Sequence, residues 1–447
     1  MTAPLSLYNI PAAYPFLDSF AHGLLAEYAN DPAAFQSLKI LLPTRRTCRN
    51  LRNAFLRIND GAPFILPNLI PVGDLDEDEL KLHAIAAGHS ADIMAIKPAI
   101  SPLRRRLLLA QLIQRIPDQN TRPEQAVALA DSLARLIDTV HNEDLSFEAL
   151  NNLVAAEFAE HWQITLDFLE IIRIHWPKIL QAEGCIDPAD RRNRLIKLLI
   201  SIWEKEPPQS PIIAAGITGS LPSTAALLHK IAALPQGQVI LPGLDSYMDS
   251  ESWAALDATH PQHVFHQLLS RMGGGVSYKG IPDWPALHAA PKRSAAIERR
   301  FDVLSETMRP AESCYKWAAL RMRGDDARKA ALEDSLEDIH LIQAKTEQEE
   351  AEKISLNLRE TLEHPQKTAI VVTPDRALAR RIGAAMRRWD IQLDDSAGTP
   401  MHYTRIGSWL QSSAVFLVEN LRPLPFLNFL HHQLASCGCE DHYIADI

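Results

Sequence analysis

A chain of 447 residues is long enough for two or three domains, and 47% hydrophobic with 22% charged residues is the balance of an ordinary globular protein. No apolar run approaches the roughly 20 residues that a membrane-spanning helix needs, which excludes an integral helical membrane protein. A formal net charge of -10 repels nucleic acid at long range, so any nucleic-acid site has to be a local basic track.

The amino terminus, MTAPLSLYNIPAAYPFLDSF, has neither a basic start nor a long apolar stretch, so it does not read as a secretory signal and the default compartment is the cytoplasm. Within it Leu5 to Ile10 is the first of a series of short apolar runs that end in Pro, Thr or Gly and precede helix-length segments. The others are Leu38 to Leu42, Ile212 to Ala215, Val239 to Leu241, Ile339 to Ile342 and Thr368 to Val372. This β-α alternation predicts an α/β fold with a mostly parallel sheet.

A P-loop would need GxxxxGK[ST] after the first strand, glycines to wrap the phosphates and a lysine to reach them. The position reads IPAAYPFLDSF, where Pro11 and Pro15 remove N–H donors, so this turn is not built to cradle a triphosphate. A magnesium-binding acidic pair is also missing. VILPGLDS offers Asp245 followed by serine, and IIAAGITGS offers no acid.

After the second run the chain reads PTRRTCRNLRNAFLR. A helix that begins at the carboxyl end of a parallel strand presents free N–H groups and the positive end of its dipole to an anion. Thr44 sits at that start, and Arg45, Arg49 and Arg52 recur at spacings of four and three on one face with Arg46 beside them. Pro43 to Arg57 holds five arginines and no acid. The acidic stretch Asp74 to Glu79 reads as the start of a helix rather than a metal site.

From about residue 101 to 205 the period changes to 3.6. Arg104 to Ile116, Pro123 to Leu145 (with Val127, Ala130, Leu133, Ile137 and Val140 on one face) and Trp162 to Leu180 predict a helical insertion. Arg104, Arg105, Arg106, Arg191, Arg192 and Arg194 lie there as solvent-facing charges or weaker candidate phosphate contacts. Residues 206 to 290 resume the first lobe. Its Gly- and Pro-rich end, Gly273 to Arg293, reads as loop chemistry at a lobe boundary, with 291 to 335 as linker.

A second unit from 336 to 447 repeats the first design in IVVTPDRALARRIGAAMRRW. Thr373 opens a helix bearing Arg376, Arg380 and Arg381, with Arg387 and Arg388 further on. The histidines of HPQHVFH and the tail Cys437, Cys439 and His442 lack metal-site spacing and read as structural. Five scattered cysteines argue for free thiols rather than disulfides.

Segments running in order from about residue 7 to residue 401 resemble AddB proteins of the alphaproteobacterial type, partners in AddAB helicase-nucleases. They include LYNIPAAYPFLD, ILLPTRRTCRNLRNAFLR, GCIDPADRRNRLI, IIAAGITGSLPSTAALL, LPQGQVILPGLDSYMDSESW and TAIVVTPDRALARRIGAAMRRWDIQLDDSAGTP. The resemblance implies two RecA-like lobes of the UvrD-like, superfamily-1 helicase kind with an all-helical insertion, acting in double-strand break repair. It implies single-stranded DNA contacts at Pro43 to Arg49 and Thr373 to Arg381. It also implies an AddA-type partner subunit that supplies ATP and Mg chemistry, and duplex-end DNA as substrate of the complex. AddB proteins look about twice as long and end in a nuclease domain with an iron-sulfur cluster and a nuclease metal. Their acids and cysteines have no matching positions here, and the second lobe is expected to be incomplete.

The residues by themselves leave other readings open. These are an active ATP-dependent helicase, a small-molecule nucleotide-binding α/β enzyme that uses the helix starts at Thr44 and Gly219, and a protein-binding scaffold.

Overall fold

In the computed structural model residues 5–72, 90–115, 121–147, 171–273, 276–291, 295–318, 330, 333–365 and 367–435 are described. The chain divides into two units, Met1–Glu337 and Asp338–Ile447.

Among the described residues unit one holds five parallel strands: β1 (Leu7–Ile10), β2 (Lys39–Leu42), β3 (Asn68–Pro71), β4 (Ile212–Ala215) and β5 (Gly237–Pro242). They lie in the order β1-β5-β4-β2-β3. The strands are short, and the inner ones β2, β4 and β5 are apolar on both sides, as a sheet covered on both faces requires. Residues alternate between faces, and two separate cores result. Ile10, Ile40, Leu42, Ile213, Ala215 and Ile240 face α1 (Phe16–Glu27), α2 (Pro32–Ser37) and α3 (Arg45–Ile58). Leu7, Leu41, Ile70, Ile212, Ala214, Val239 and Leu241 share a core with residues of four helices. These are α4 (Ser90–Ala95), α8 (Pro188–Lys205), α9 (Pro222–Ala233) and α11 (His263–Arg271). The architecture is therefore a helix-sheet-helix sandwich, and the α/β class with a parallel sheet read from the sequence is what the chain adopts. The short runs at β1, β2, β4 and β5 were legible. The edge strand β3 was not, because Asn68-Leu69-Ile70-Pro71 has one fully buried residue and ends in proline.

Between β3 and β4 lie α5 (Pro102–Gln114), α6 (Pro123–Asn142), α7 (Trp176–Glu183) and α8. Ala126, Ala130, Leu133 and Ile137 of α6 pack on Leu109 and Ile113 of α5 and on Trp176 and Leu180 of α7. Two polar clusters anchor this region. Arg105 is buried against Asp138 and Asp187, and Arg191 is buried with Nη1 donating to the Lys97 carbonyl at 3.2 Å. Of the expected helix Trp162 to Leu180, residues 162–170 lie outside the described residues, as do Ile116 and the acidic stretch Asp74 to Glu79.

The Gly- and Pro-rich segment after Gly273 is not a lobe boundary. Its residues 276–291 pack against the sheet, with Tyr278, Trp284 and Leu287 buried, and Trp284 N–H donates to the Asn9 carbonyl at 2.9 Å. Aromatic side chains outweigh loop-forming composition here: Trp284 fills the space over α1 left by Gly23, where an added Cβ would come within 2.3 Å of the indole. Part of the expected linker is α12 (Ala295–Thr307), within unit one.

Unit two contains α13 (Glu347–Thr361), α14 (Arg376–Met386), α15 (Arg405–Val418) and α16 (Pro423–Leu430). Helices α13 and α14 pack through Ala351, Leu358, Ile382 and Met386. The expected strands Ile339 to Ile342 and Thr368 to Val372 are not formed. Both segments are largely apolar, but a strand exists only through a ladder, and among the described residues neither has a pairing partner.

Candidate nucleic-acid interface

The carboxyl edge of the sheet gathers the turns that leave β1, β2, β4 and β5. At β2 the chain turns through Pro43 into α3, with Thr44 as its N-cap. The Thr44 hydroxyl accepts the Thr47 N–H at 3.1 Å and lies 2.9 Å from the Thr47 hydroxyl. The helix is strongly two-sided. Cys48, Leu51, Ala54 and Phe55 are buried, while Thr44, Arg45, Arg49 and Arg52 are exposed and Arg46 is half-buried. The first turn carries no acid. Spacings of four and three place Arg45, Arg49 and Arg52 in one row on the solvent side. At the far end Arg57 turns away to Asp18 at 2.5 Å.

Strand β4 lies next to β2, with Leu41 opposite Ala214, so the turn at Gly216 abuts the turn at Pro43. Gly216 has φ +72°, and an added Cβ there would stand 3.1 Å from the Phe16 ring and 3.8 Å from Pro43 Cδ. Helices α3 and α9 leave this junction on opposite faces of the sheet, which makes it a switch point of the kind where open α/β sheets take ligands.

At β1 the geometry is different. The Asn9 side chain donates Nδ2–H to the Leu244 carbonyl at 3.2 Å and accepts the Leu244 N–H at 3.0 Å, binding the exit of β1 to the exit of β5. Gly243 N–H donates to the Ile10 carbonyl, and an added Cβ on Gly243 would lie 3.0 Å from the Ala12 Cβ. Tyr14 N–H closes a turn onto the Pro11 carbonyl. The carbonyls of Ile10 and Pro11 and the N–H of Tyr14 are thus taken up within this corner of the sheet. Asp245, at the end of β5, accepts the N–H groups of Tyr247 and Met248 at 2.9 and 3.1 Å and shapes a turn.

The second arginine helix departs from the first. Thr373 does not open it; its hydroxyl accepts the Asp375 N–H, and Asp375, two residues later, is the cap of α14, its carboxylate accepting Ala377 N–H at 2.7 Å. A carboxylate satisfies the free donors better than a hydroxyl and carries the charge that an N-terminus attracts. Arg376 forms a bidentate pair with Asp395 at 3.0 and 2.6 Å, Arg381 meets Glu347 at 2.5 Å, and Arg380 lies 3.5 Å from the Tyr403 hydroxyl. Those three side chains are exposed but engaged.

The arginines of the insertion are also consumed internally. Arg104 pairs with Glu183, Arg106 with Asp131, Arg194 with Asp190, and Arg192 donates to Asn142. Arg105 and Arg191 are buried rather than solvent-facing. His260 and His263 bind the carbonyls of Met308 and Leu256 and hold their loop together. Among the described residues no group of His, Cys, Asp and Glu is arranged to hold a metal ion. In unit two Ser408 and His432 lie 2.9 Å apart, but His432 Nδ1 accepts the Leu434 N–H. A neutral ring then carries its proton on Nε2 and donates to Ser408, the reverse of a general base.

One polar centre was invisible in the sequence. Asp249 caps a short helix, α10 (Ser250–Ala254), and accepts from Lys316 at 2.6 Å and from Arg309. Burial pushes its carboxyl up, but the hydrogen bonds from Lys316, Arg309 and Ser252 outweigh that and hold it well below the ordinary range. Its members are 67 residues apart at most, and nothing in their local spacing links them.

No family model matches the chain, and no curated protein matches it. No helix among the described residues is long and apolar enough to cross a membrane.

Proposed function

We propose that this chain is the DNA-contacting, catalytically degenerate helicase-like region of an AddB-type subunit. Its place is in an ATP-dependent helicase-nuclease complex that processes double-strand breaks for recombinational repair in the cytoplasm. The observation that carries the reading is the row Arg45, Arg49 and Arg52, with Arg46, on a helix that starts at Thr44 beside the sheet's switch point. A guanidinium row one helical face long matches successive phosphates of a strand, and the hydroxyl-capped helix start favours an anion at its head. The turn after β1, closed on itself by Asn9, Pro11 and Gly243, supports a lobe that holds DNA without its own triphosphate site.

In this reading unit one is a RecA-like lobe and Asp338–Ile447 contributes to a second. Thr373, Arg376, Arg380 and Arg381 are secondary contacts that would have to exchange their present partners for phosphates. An AddA-type partner supplies ATP and Mg chemistry, and the iron-sulfur cluster and nuclease metal belong to the nuclease domain of AddB proteins.

The test is binding of labelled single-stranded DNA across a salt series, by the chain and by a variant with Arg45, Arg46, Arg49 and Arg52 changed to alanine. The expected result is salt-sensitive binding, with the log-log slope reduced by about 0.7 for each phosphate that the variant no longer neutralises. Equal binding by both proteins would overturn the assignment.

A second reading is favoured by one observation, the adjacency of the turns at Thr44 and Gly216 to Ser220 across neighbouring strands with helices leaving on opposite faces. A small phosphate-bearing ligand fits such a crevice in an α/β enzyme. Saturable nucleotide binding that DNA does not compete away would support it.

A further inference from the structure

We propose that the start of α9, at Ser223 and Thr224 beside Arg271, is a phosphate-binding site separate from the arginine row on α3. It deepens the reading of the crevice between β2 and β4 as a place for a phosphate-bearing ligand, and rests on that reading.

Helix α9 runs for 12 residues and starts without a cap. Leu221 occupies the N-cap position with no side-chain hydrogen bond, and Pro222 is the first helical residue. Leucine is among the poorest N-caps because it has no oxygen to offer the free N–H groups. Those of Ser223 and Thr224 have no acceptor among the described residues, and the first turn carries no acid. The positive end of the helix is therefore open at the carboxyl edge of the sheet.

A second observation lies within that turn. Ser223 is only 6% exposed, and its Oγ is shielded from water yet has no hydrogen-bond partner. Buried hydroxyls are normally paired, so an orphan at a helix start points to a partner that arrives from outside the chain. Each Cα–Cβ bond of a helix tilts toward its amino end, which leans this side chain to the uncapped opening. Rotation about its one torsion then presents the hydroxyl to a ligand held there.

Arg271, the last residue of α11, supplies the positive charge. Its Nη1 donates to the Ser220 carbonyl at 2.6 Å, while Glu143 lies at 3.4 Å with an exposed carboxylate that can turn to solvent. Gly219 permits this approach. Its φ is +61°, and an added Cβ would stand 2.5 Å from Leu268 Cδ1 and hold α11 off the turn. A guanidinium, two free N–H groups and an unpaired hydroxyl are the donors that phosphate oxygens accept. The phosphate is either part of a strand backbone or carried by a free small molecule, and the same donors serve both.

Isothermal titration calorimetry of the full chain with inorganic phosphate, at fixed ionic strength, tests the site. Ser223→Ala, Arg271→Gln and the variant with Arg45, Arg46, Arg49 and Arg52 changed to alanine are titrated alongside. The expected result is saturable binding by the natural chain, weakened about tenfold in Ser223→Ala by loss of a hydrogen bond to a charged group, and more in Arg271→Gln. The arginine-row variant should bind phosphate unchanged. Without phosphate, Ser223→Ala should melt no lower than the natural chain, because the hydroxyl it removes has no partner. Displacement of phosphate by single-stranded DNA would make a strand backbone the source, and displacement by a mononucleotide but not by DNA would make it a small molecule. No saturable phosphate binding, or binding indifferent to Ser223→Ala, would overturn the site. Loss of phosphate binding in the arginine-row variant would also overturn it, by placing the anion on α3, and would leave the DNA reading of α3 standing. Equal DNA binding by that variant would remove the α3 reading without touching this one.

Discussion

Arg105 Nε lies 2.9 Å from Oδ1 of Asp187, an ion pair in which the two side chains are only 7% and 3% exposed. The same guanidinium meets Asp138 on α6, and the other Asp187 oxygen accepts the Trp176 indole N–H at 3.0 Å. One arginine thus joins α5, α6 and the start of α8. The Nε contact is one of charge, since the N–H does not point along it, while Nη1 donates to Asp138 at 2.9 Å. Removing one partner from a buried pair leaves an uncompensated charge and typically costs about 3–5 kcal/mol. Asp187→Ala is expected to cost an amount of that order, read as a lower urea midpoint. Replacing Arg105, Asp138 and Asp187 together by apolar residues of similar volume should recover most of it.

Asp249 predicts the acid limb of stability. Its carboxyl is held below its ordinary value in the folded protein, so between the folded pKa and the unfolded value near 3.9 the unfolded chain binds more protons. The stabilisation is fully present above that unfolded value and is lost as pH falls through the folded pKa. Asp249→Asn should remove this contribution at neutral pH and flatten the fall in melting temperature on acidification. A melting profile as steep in the variant as in the natural chain would mean that other carboxylates control the acid limb.

Why some of this was readable and some was not follows from the range of the interactions. Four of the five strands and the two-sided α3 are local patterns: a short apolar run before a turn, and buried residues at Cys48, Leu51 and Phe55 alternating with arginines. Partners distant in sequence leave no such trace. The Arg105–Asp187 pair spans the helical insertion, and Trp284 reaches Gly23 across most of unit one, which is how a Gly- and Pro-rich segment became part of the core. The apparent repeat of the arginine helix illustrates the opposite error. Thr373 and Thr44 look alike in sequence, yet one residue, Asp375, takes over the cap and moves the helix start. The runs at Ile339 and Thr368 carry strand composition without a ladder, and composition alone cannot supply one.

The two caps should respond oppositely to substitution. Thr44→Ala removes the acceptor for Thr47 N–H and is expected to cost about 1 kcal/mol while weakening DNA binding. Asp375→Ser keeps an N-cap acceptor but removes a negative charge from the start of α14. If unit two contacts DNA, Asp375→Ser should tighten binding, and the gain should shrink as salt rises. Identical isotherms for Asp375→Ser and the natural chain would remove Arg376, Arg380 and Arg381 from the contact surface.

The turn after β1 yields the sharpest separation between a DNA-holding lobe and an ATP-driven one. Pro11 and Pro15 lack N–H groups, the Gly243 N–H is committed to the Ile10 carbonyl, and Asn9 locks Leu244 beside it. A triphosphate needs several convergent backbone donors and a lysine, and opening this turn would sacrifice the Asn9 bonds that join the exits of β1 and β5. The chain alone is therefore expected to show no ATP turnover with or without single-stranded DNA, and no rise in melting temperature with Mg-ATP. Asn9→Ala should lower the melting temperature by orphaning Leu244 N–H and C=O, yet leave DNA affinity at the Arg45 to Arg52 face unchanged. ATP turnover stimulated by DNA would revive the active-helicase reading. A parallel loss of DNA binding in Asn9→Ala, with the fold intact, would move the contact surface from α3 to the β1 edge.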